Sequence, residues 1–302
     1  MRHDGEIAIA LRSTTVSPRT IVQLATVLDD APRISHTFIP EGSQGGFTSL
    51  DISSAGLAVS KRLCIGSGVI RILEHDPDTL ASRLLTLQEL SDNRFILGIG
   101  TGRPTNNPKQ TIQSMLAHLH STKQSFEKYA QGSGLRMPET FIATLRKGIA
   151  KAVNGHSDGI LLNFCPPEHA RQLVKSLGGA TKRPTVSCYL KIFYSRDDTT
   201  ARRMLVEEFA RYDRIPSYHK MFASVGVARE IANANAALAS NESVHLEKLL
   251  EISLPNPTKE ELASYVETFR DAWVDLPCLY PYFESTEHEA FKVSKVEEIV
   301  RL

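Results

Sequence analysis

The sequence predicts an α/β protein with the architecture of a (β/α)8 barrel. Eight short apolar segments with strand character alternate with longer segments that have helical periodicity. Several of the apolar segments are hydrophobic along their whole length, as parallel strands covered on both faces require. The 302 residues are also enough for one complete barrel. A doubly wound open sheet is the alternative that the same alternation allows.

The elements follow one another almost without a break. The predicted strands are 6–13, 36–42, 63–72, 95–102, two segments that start at Thr140 and Gly159, 184–195 and 275–283. The predicted helices start at Ser17, cover 47–60, start at Asp76, cover 108–131, start near Glu168, cover about 199–252, and end the chain. Two helix starts are clear because Ser17 and Asp76 are capping residues that each precede a proline. No repeat, low-complexity segment or linker divides the chain, so we assign 1–302 to one domain.

Charge and hydropathy exclude several classes of protein. Lys and Arg number 35 and Asp and Glu 34, which gives a formal net charge of +1. This balance lacks the broad positive field that nucleic-acid binders and membrane-surface proteins use. No apolar run approaches the roughly 20 residues of a membrane span, and IAIAL near the N-terminus is too short for a signal-peptide core. We therefore expect a cytoplasmic protein that acts on a small molecule, without nucleic-acid or membrane partners.

The cysteines give no sign of a metal site or a disulfide framework. The four residues are far apart and form neither a CxxC pair nor a Cys/His pattern typical of zinc. Each lies in or beside an apolar stretch, where cysteine behaves as a small hydrophobe. We expect free, buried thiols at Cys64, Cys165, Cys188 and Cys278.

In a barrel of this kind, function lies at the carboxyl ends of the strands. Two of the predicted ends are rich in glycine: Gly66-Ser67-Gly68-Val69 and Gly98-Ile99-Gly100-Thr101-Gly102. Glycine in a strand allows a ligand or a neighbouring backbone to come close, and it also marks bulges. Each segment is therefore either a surface on which a ligand lies or a site of tight packing.

Several polar residues stand at other predicted strand ends. Glu41 could accept a ligand hydrogen bond or act as a general acid, or it is a solvated loop residue. His75 precedes a helix cap, where a histidine is commonly structural. Arg146 offers a charged donor for a phosphate or is a surface charge, and Asn163 ends the sixth strand. No Ser/His/Asp set and no pair of carboxylates can be assembled from the sequence.

Four segments carry a resemblance to a known family. The stretch RLCIGSGVIRILEHDPDTLASRLLTLQELSDNRFILGIGTG (62–102) resembles the signature region of the bacterial-luciferase-like flavin and deazaflavin oxidoreductases. HSDGILLNFCPPEHARQLV (156–174) and 201–227 are similar to the branch of this superfamily that uses coenzyme F420, which includes methylenetetrahydromethanopterin reductases. AWVDLPCLYPYF (272–283) resembles the last strand of that branch.

The resemblance implies a (β/α)8 barrel in a homodimer, with a flavin or deazaflavin ring across the strand ends. It implies a non-prolyl cis peptide near Ser67, Gly68 and Val69 that backs the ring, with Gly100, Thr101 and Gly102 lining it. Glu41 takes the place of a polar residue that contacts the ring, and we count Arg146 and Asn163 as further cofactor contacts. Glu41 and His75 are the candidate catalytic residues.

Three turns depart from the pattern of the family. Thr144-Leu145-Arg146-Lys147 stands where a Gly-Pro-type turn commonly holds the cofactor phosphate, Gly42 replaces a histidine, and Asn256-Pro257-Thr258 lacks the usual first glycine. The segment 103–139 is shorter than the usual insertion over the barrel mouth.

The function that the resemblance implies first is F420-dependent hydride transfer to or from a small organic substrate. An FMN-dependent luciferase-like monooxygenase and a non-catalytic flavin-binding or scaffold protein are the alternatives. The sequence does not identify the substrate.

Overall fold

A computed structural model of the chain describes residues 5–42, 46–102, 107–177, 183–240, 242 and 245–302. The strands are β1 (Ile7–Ala10), β2 (Ile34–Ile39), β3 (Cys64–Ser67), β4 (Ile70–Arg71), β5 (Phe95–Gly100), β6 (Glu139–Ala143), β7 (Gly159–Asn163), β8 (Thr185–Tyr194), β9 (Ser253–Pro255) and β10 (Leu276–Phe283). The helices are α1 (Pro18–Asp29), α2 (Ser49–Val59), α3 (Pro77–Ser91), α4 (Pro108–Tyr129), α5 (Lys147–Val153), α6 (Pro167–Ser176), α7 (Asp198–Asp213), α8 (Pro216–Ser224), α9 (Ala228–Ala239), α10 (Lys259–Asp271) and α11 (Glu289–Val300). Short 3-10 helices cover Ile72–Glu74 and Leu249–Glu251.

The strands form a closed parallel barrel. The order of neighbours is β10, β1, β2, β3, β5, β6, β7 and β8, and β10 also pairs with β8, which completes the circle. Every strand pair is parallel, and β4 continues β3 beside β5. The predicted (β/α)8 barrel is therefore confirmed, because an open doubly wound sheet would leave two unpaired edges.

Local sequence fixes where the helices begin. The Ser17 hydroxyl accepts the Thr20 amide at 3.2 Å, with proline next to the cap, and Asp76 accepts the Thr79 amide at 2.9 Å in the same way. The Thr258 hydroxyl and the side chain of Glu261 form a reciprocal capping box at the start of α10. These contacts satisfy amides that have no partner in the first helical turn.

Alternation along each strand divides the core into two layers. In β1, Ile7 and Ile9 belong to the larger apolar cluster, which contains residues of the surrounding helices, whereas Ala8 and Ala10 belong to the second. That second cluster joins alternate residues of the barrel strands with residues of α7, α8 and α9. These three helices therefore pack against the interior layer of the barrel.

The structure adds detail that the strand prediction lacked. The single predicted strand 63–72 is divided into β3 and β4 by a bulge, and β9 is a short extra strand that follows the predicted helical region. That region is three separate α-helices and a 3-10 turn rather than one helix. The four cysteines are free thiols, as predicted; three are buried, whereas Cys64 is only partly so. Within the described ranges, no helix is long and apolar enough to cross a membrane.

Candidate active site at the barrel mouth

The bulge between β3 and β4 forms one side of the barrel mouth. Its Gly68–Val69 peptide bond is cis, at the position where the resemblance implied one. The Gly68 amide donates to the Ile39 carbonyl at 2.8 Å, and the Tyr189 hydroxyl donates to the Gly68 carbonyl at 2.7 Å. The bulge is thus held from β2 and from inside the barrel, and Val69 remains only partly buried.

Glycines of β5 make room for this bulge. A Cβ atom on Gly98 would lie 1.9 Å from the Ser67 carbonyl oxygen, and one on Gly100 would lie 3.0 Å from the Val69 side chain. The Ser67 hydroxyl is buried, donates to the Gly98 carbonyl at 2.8 Å and accepts the Gly98 amide at 3.0 Å. The tight-packing interpretation therefore holds for Gly98. Since the Ser67 side chain is fully engaged, only its backbone remains for a cofactor.

The end of β5 is more open. Thr101 and Gly102 are partly exposed, and Gly102 has φ +72°, a conformation in which a side chain is strained. A Cβ on Gly102 would lie 3.3 Å from the Arg71 stem, whose guanidinium donates to the Gly42 carbonyl at 3.1 Å. Arg71 thus connects the strand ends of β2, β4 and β5 around the mouth.

Glu41 and His75 lie beside this side of the mouth, and the charge of Glu41 acts on the imidazole of His75. The Glu41 carboxylate accepts both the amide and the hydroxyl of Ser49, at the start of α2. His75 is partly buried, and burial lowers the pKa of its imidazole; Glu41 acts in the opposite direction, while Arg83 lowers the pKa further. The two predicted catalytic residues are therefore brought within electrostatic reach, and the imidazole is neutral at neutral pH.

Arg146 and Asn163 lie at the ends of β6 and β7. The Arg146 guanidinium is partly buried and makes no hydrogen bond or ion pair within the part of the chain that the structure describes. The Asn163 amide donates to the Tyr218 hydroxyl at 2.8 Å, while its oxygen is buried without a partner among these residues. Asn163 is therefore hydrogen-bonded to α8, and its side-chain oxygen remains an unsatisfied acceptor.

The turn at Asn256 tolerates the loss of glycine. Asn256 has φ +39°, and asparagine is among the non-glycine residues best suited to the left-handed region. Its side chain accepts the Ser195 amide at 3.0 Å and donates to Asp198 at 2.9 Å. The departure from the family pattern therefore leaves an ordered turn in place.

A charged cluster that was not predicted from the sequence lies on the other side of the mouth. Lys191, in the middle of β8, has no exposed surface, and its Nζ donates to the Tyr282 hydroxyl at 2.7 Å. Nζ also lies 3.8 Å from the ring centre of Tyr280 and 4.5 Å from that of Phe164. A lysine inside the apolar stretch PTVSCYLKIFYS was the available signal, because lysine is almost never buried without a reason.

Glu208 of α7 and two arginines complete this cluster. Arg211 donates to both oxygens of Glu208, at 2.6 and 2.8 Å, whereas Arg12 contacts Glu208 at 3.4 Å. Burial opposes ionisation of Glu208, but the Arg211 hydrogen bonds and the charges of Lys191 and Arg12 hold the carboxyl pKa below its usual value. Desolvation lowers the pKa of the Lys191 amine well below its usual value; Glu208 opposes this effect, and Arg12 and Arg211 reinforce it.

Comparison with known proteins places these features in a family context. Residues 6–115 match the family described as luciferase-like monooxygenase. No curated protein gives a significant match. The match contains the segment 62–102, and the predicted resemblance to the luciferase-like proteins is confirmed.

Solved structures share the fold over nearly the whole chain. The coenzyme F420-dependent tetrahydromethanopterin reductase of Methanopyrus kandleri is 14% identical with a TM-score of 0.67, and 97% of each chain is covered. An F420-dependent secondary alcohol dehydrogenase in complex with an F420–acetone adduct is 13% identical, with a TM-score of 0.71 over 98% of each chain. The oxygenating constituent of 3,6-diketocamphane monooxygenase from Pseudomonas putida, in complex with FMN, is 12% identical with a TM-score of 0.62, covering 98% of this chain and 97% of that one. The predicted class, a flavin- or deazaflavin-dependent oxidoreductase, agrees with these proteins.

Proposed function

We propose that the protein is an oxidoreductase dependent on coenzyme F420 that passes hydride to or from a small organic substrate. The observation that carries the proposal is the surface formed by the part-buried Val69 against the bare backbone of Gly100 and Gly102. A side chain on Gly100 would meet Val69 of the bulge, and one on Gly102 would meet the Arg71 stem, so the absence of both side chains leaves room for a flat ring. Two of the similar structures bear F420-dependent enzyme names, and 156–174 resembles the same branch.

The residues around this surface fit a cofactor of that kind. The Arg146 guanidinium has no partner in the described residues and suits a phosphate, since a charged donor replaces the backbone amides of the family turn. The buried Asn163 oxygen lacks a donor among those residues, and a ring N–H would provide one. Val69, Gly100, Thr101 and Gly102 would hold the ring. When bound, F420 supplies the ring carbon that exchanges hydride.

The chain itself contributes positioning and a proton acceptor. Tyr189 and Ser67 fix the bulge on which the ring would lie. The neutral imidazole of His75 can take up the proton that accompanies hydride transfer at one of its ring nitrogens, and the imidazolium formed can return that proton in the reverse direction. Glu41, whose carboxylate is fixed by Ser49, acts as the residue that biases the protonation of His75. In this proposal Glu41 is a positioning residue.

An FMN-dependent monooxygenase is the second candidate, because the matched family is named for that activity and one similar structure contains FMN. The two are separated by oxygen uptake, since a reduced deazaflavin does not react readily with O₂. A scaffold protein without catalytic activity is the third candidate.

Fluorescence titration with F420 and, separately, with FMN tests the proposal. We expect saturable F420 binding that is tighter than FMN binding, and a loss of affinity of about tenfold or more in Arg146→Gln. Lys147→Gln is the matched control, because the neighbouring Lys147 is already bonded to Gln172 at 2.8 Å. Folded protein that binds neither molecule would reject the cofactor and favour the scaffold.

We also propose a cytoplasmic homodimer. Four free thiols suit a reducing compartment. Among the described residues, six large apolar side chains are exposed; four of them, Phe47, Val59, Leu73 and Leu90, lie on α2, α3 or the segments beside them, while Tyr129 and Trp273 lie elsewhere. Light scattering after size exclusion should give twice the chain mass, and Leu90→Glu should lower it; a monomeric wild type would reject the dimer.

A further inference from the structure

The side of the mouth opposite the bulge carries more positive charge than the protein neutralises. Arg12 and Arg211 share one carboxylate, that of Glu208, and burial lowers the pKa of the neighbouring Lys191 amine. Within the described residues, neither arginine has another ion-pair partner, and Lys191 Nζ has no carboxylate within ion-pair distance. The Arg12 side chain is mostly buried, and buried charges are normally paired, so this surplus requires an explanation.

Arg211 already provides hydrogen bonds to both carboxylate oxygens of Glu208. Its two contacts, at 2.6 and 2.8 Å, engage both carboxylate oxygens in the bidentate geometry that binds carboxylates most strongly. The single Arg12 contact is longer, at 3.4 Å, and engages only Nη1. The remaining donors of Arg12 have no acceptor in the described part of the protein. Arg12 is thus the cation that is free to bind something else.

Arg12 is also the member of the cluster that a ligand can reach. Its side chain is 25% exposed, compared with 9% for Glu208 and no exposed surface for Lys191. It follows the end of β1 and lies 5.4 Å from the Tyr282 ring, whose hydroxyl holds Lys191. A ligand at the barrel mouth therefore meets Arg12 first, with the Lys191 amine behind the tyrosine.

We propose that Arg12, backed by Lys191 and Tyr282, binds the anionic group of the substrate, a carboxylate or a phosphate ester. This inference deepens the proposed function, on which it rests, because it names the substrate class as an organic anion. The guanidinium donates two hydrogen bonds to the anion, and the anion neutralises the surplus charge that Glu208 leaves. Arg12 therefore determines specificity for charged over neutral substrates.

Calorimetric titration with two matched pairs of small molecules tests the inference. Lactate is compared with lactamide, and glycerol 3-phosphate with glycerol, so that each pair differs only in the anionic group. We expect one anion of the two to bind at least about tenfold more tightly than its neutral counterpart. Which anion does so distinguishes a carboxylate from a phosphate ester. Equal affinity within both pairs, or no saturable binding of either anion, overturns the inference.

Variants identify the residue responsible. Arg12→Gln should remove the preference for the anion, and Arg12→Lys should keep part of it. Arg196→Gln is the matched control, because Arg196 is an exposed arginine near the same end of the barrel, paired with Glu287. Equal effects of the Arg12→Gln and Arg196→Gln substitutions contradict the inference, and far-ultraviolet circular dichroism verifies that each variant is folded.

F420 titration of the same variants separates this inference from the proposed function. Arg12→Gln should leave F420 affinity unchanged; a tenfold loss would mean that the cluster binds the phosphate of the cofactor, which overturns the assignment to the substrate. Wild-type protein that binds lactate or glycerol 3-phosphate but neither F420 nor FMN would reject the proposed cofactor while the anion site stands.

Discussion

Replacement of Lys191 by methionine should change how the stability of the protein depends on pH. Methionine has a similar length and no ionisable group, so the substitution removes the amine with little change in volume. The groups around the amine are Glu208, Arg12, Arg211, Cys278, and the tyrosines at 189, 212, 280 and 282. All of them are retained in the variant, so a difference from wild type reports Lys191.

The direction of the pH dependence follows from the lowered pKa of Lys191. The folded amine has a pKa well below the ordinary lysine value of 10.5, whereas the unfolded chain keeps that value. Between the two values the unfolded state binds more protons, so the free energy of unfolding of the wild type rises with pH. The slope from one such group is up to about 1.4 kcal/mol per pH unit. The variant lacks this contribution, so its stability advantage should be greatest at the low-pH end of the window and shrink as the pH rises towards 10.5.

The lost hydrogen bond sets the remaining difference in the free energy of unfolding between the wild type and the Lys191→Met variant. Lys191 Nζ donates to Tyr282 at 2.7 Å, and a neutral bond of this type contributes about 0.5–1.5 kcal/mol. Where the amine is neutral in both states, above the window, the wild type should therefore be the more stable protein by about that amount. The two stability curves should cross or converge inside the window.

Urea unfolding at intervals between about pH 6 and pH 11 measures both the change of slope and the offset. Lys292→Met is the matched control, since Lys292 is similarly inaccessible but is paired with Glu289 at 2.9 Å. We expect the control to lose stability, because Glu289 loses the cation that is 2.9 Å away. Parallel curves for Lys191→Met and wild type would refute the reasoning, because they would mean that Lys191 keeps the same proton in the folded and unfolded states.

Two further predictions concern stability away from the charged cluster. Gly98→Ala should destabilise the fold by about 3 kcal/mol or more, because its Cβ would lie 1.9 Å from the Ser67 carbonyl oxygen. Gly148→Ala is its control in urea unfolding: a Cβ there meets nothing within 4 Å, and alanine in helix α5 should stabilise by up to about 1 kcal/mol. Equal effects of the two would contradict the packing argument. Asp29 accepts the amides of residues 61–63 at 2.7–2.8 Å, and these bonds outweigh desolvation and lower its pKa. Asp29→Asn should therefore cost about 1 kcal/mol above the usual carboxyl pKa, and the deficit should vanish as the pH falls through the folded-state value. A deficit that is independent of pH would contradict it.

The fold and half of the site follow from local features of the sequence. Apolar segments of strand length, separated by helical periodicity and by Ser17-Pro18 or Asp76-Pro77 starts, are short-range patterns that survive in any context. They predict the barrel, and the barrel places every strand end at one mouth. The resemblance of 62–102 then directs attention to the bulge and to the glycines of β5.

The sequence did not show which atoms each of those glycines packs against. Gly98 and Gly100 have the same pattern, yet Gly98 faces the Ser67 carbonyl, whereas Gly100 faces the Val69 side chain. Which atom a Cβ would meet depends on the register between β3 and β5, which residues about 30 positions apart determine together. Periodicity carries no information about that register.

The sequence by itself predicted the order of strands and helices, favoured a barrel over an open sheet and pointed to the strand ends as the place for a site, because these inferences use patterns among residues close along the chain. Only the tertiary structure decided that Arg12, Lys191 and Glu208 meet. Arg12 lies just after β1, Lys191 on β8 and Glu208 on α7. Residues so far apart in the sequence form no local pattern that predicts their contact. Closure of the barrel brings β8 beside β10 and β10 beside β1, and the packing of α7 against the interior layer completes the cluster.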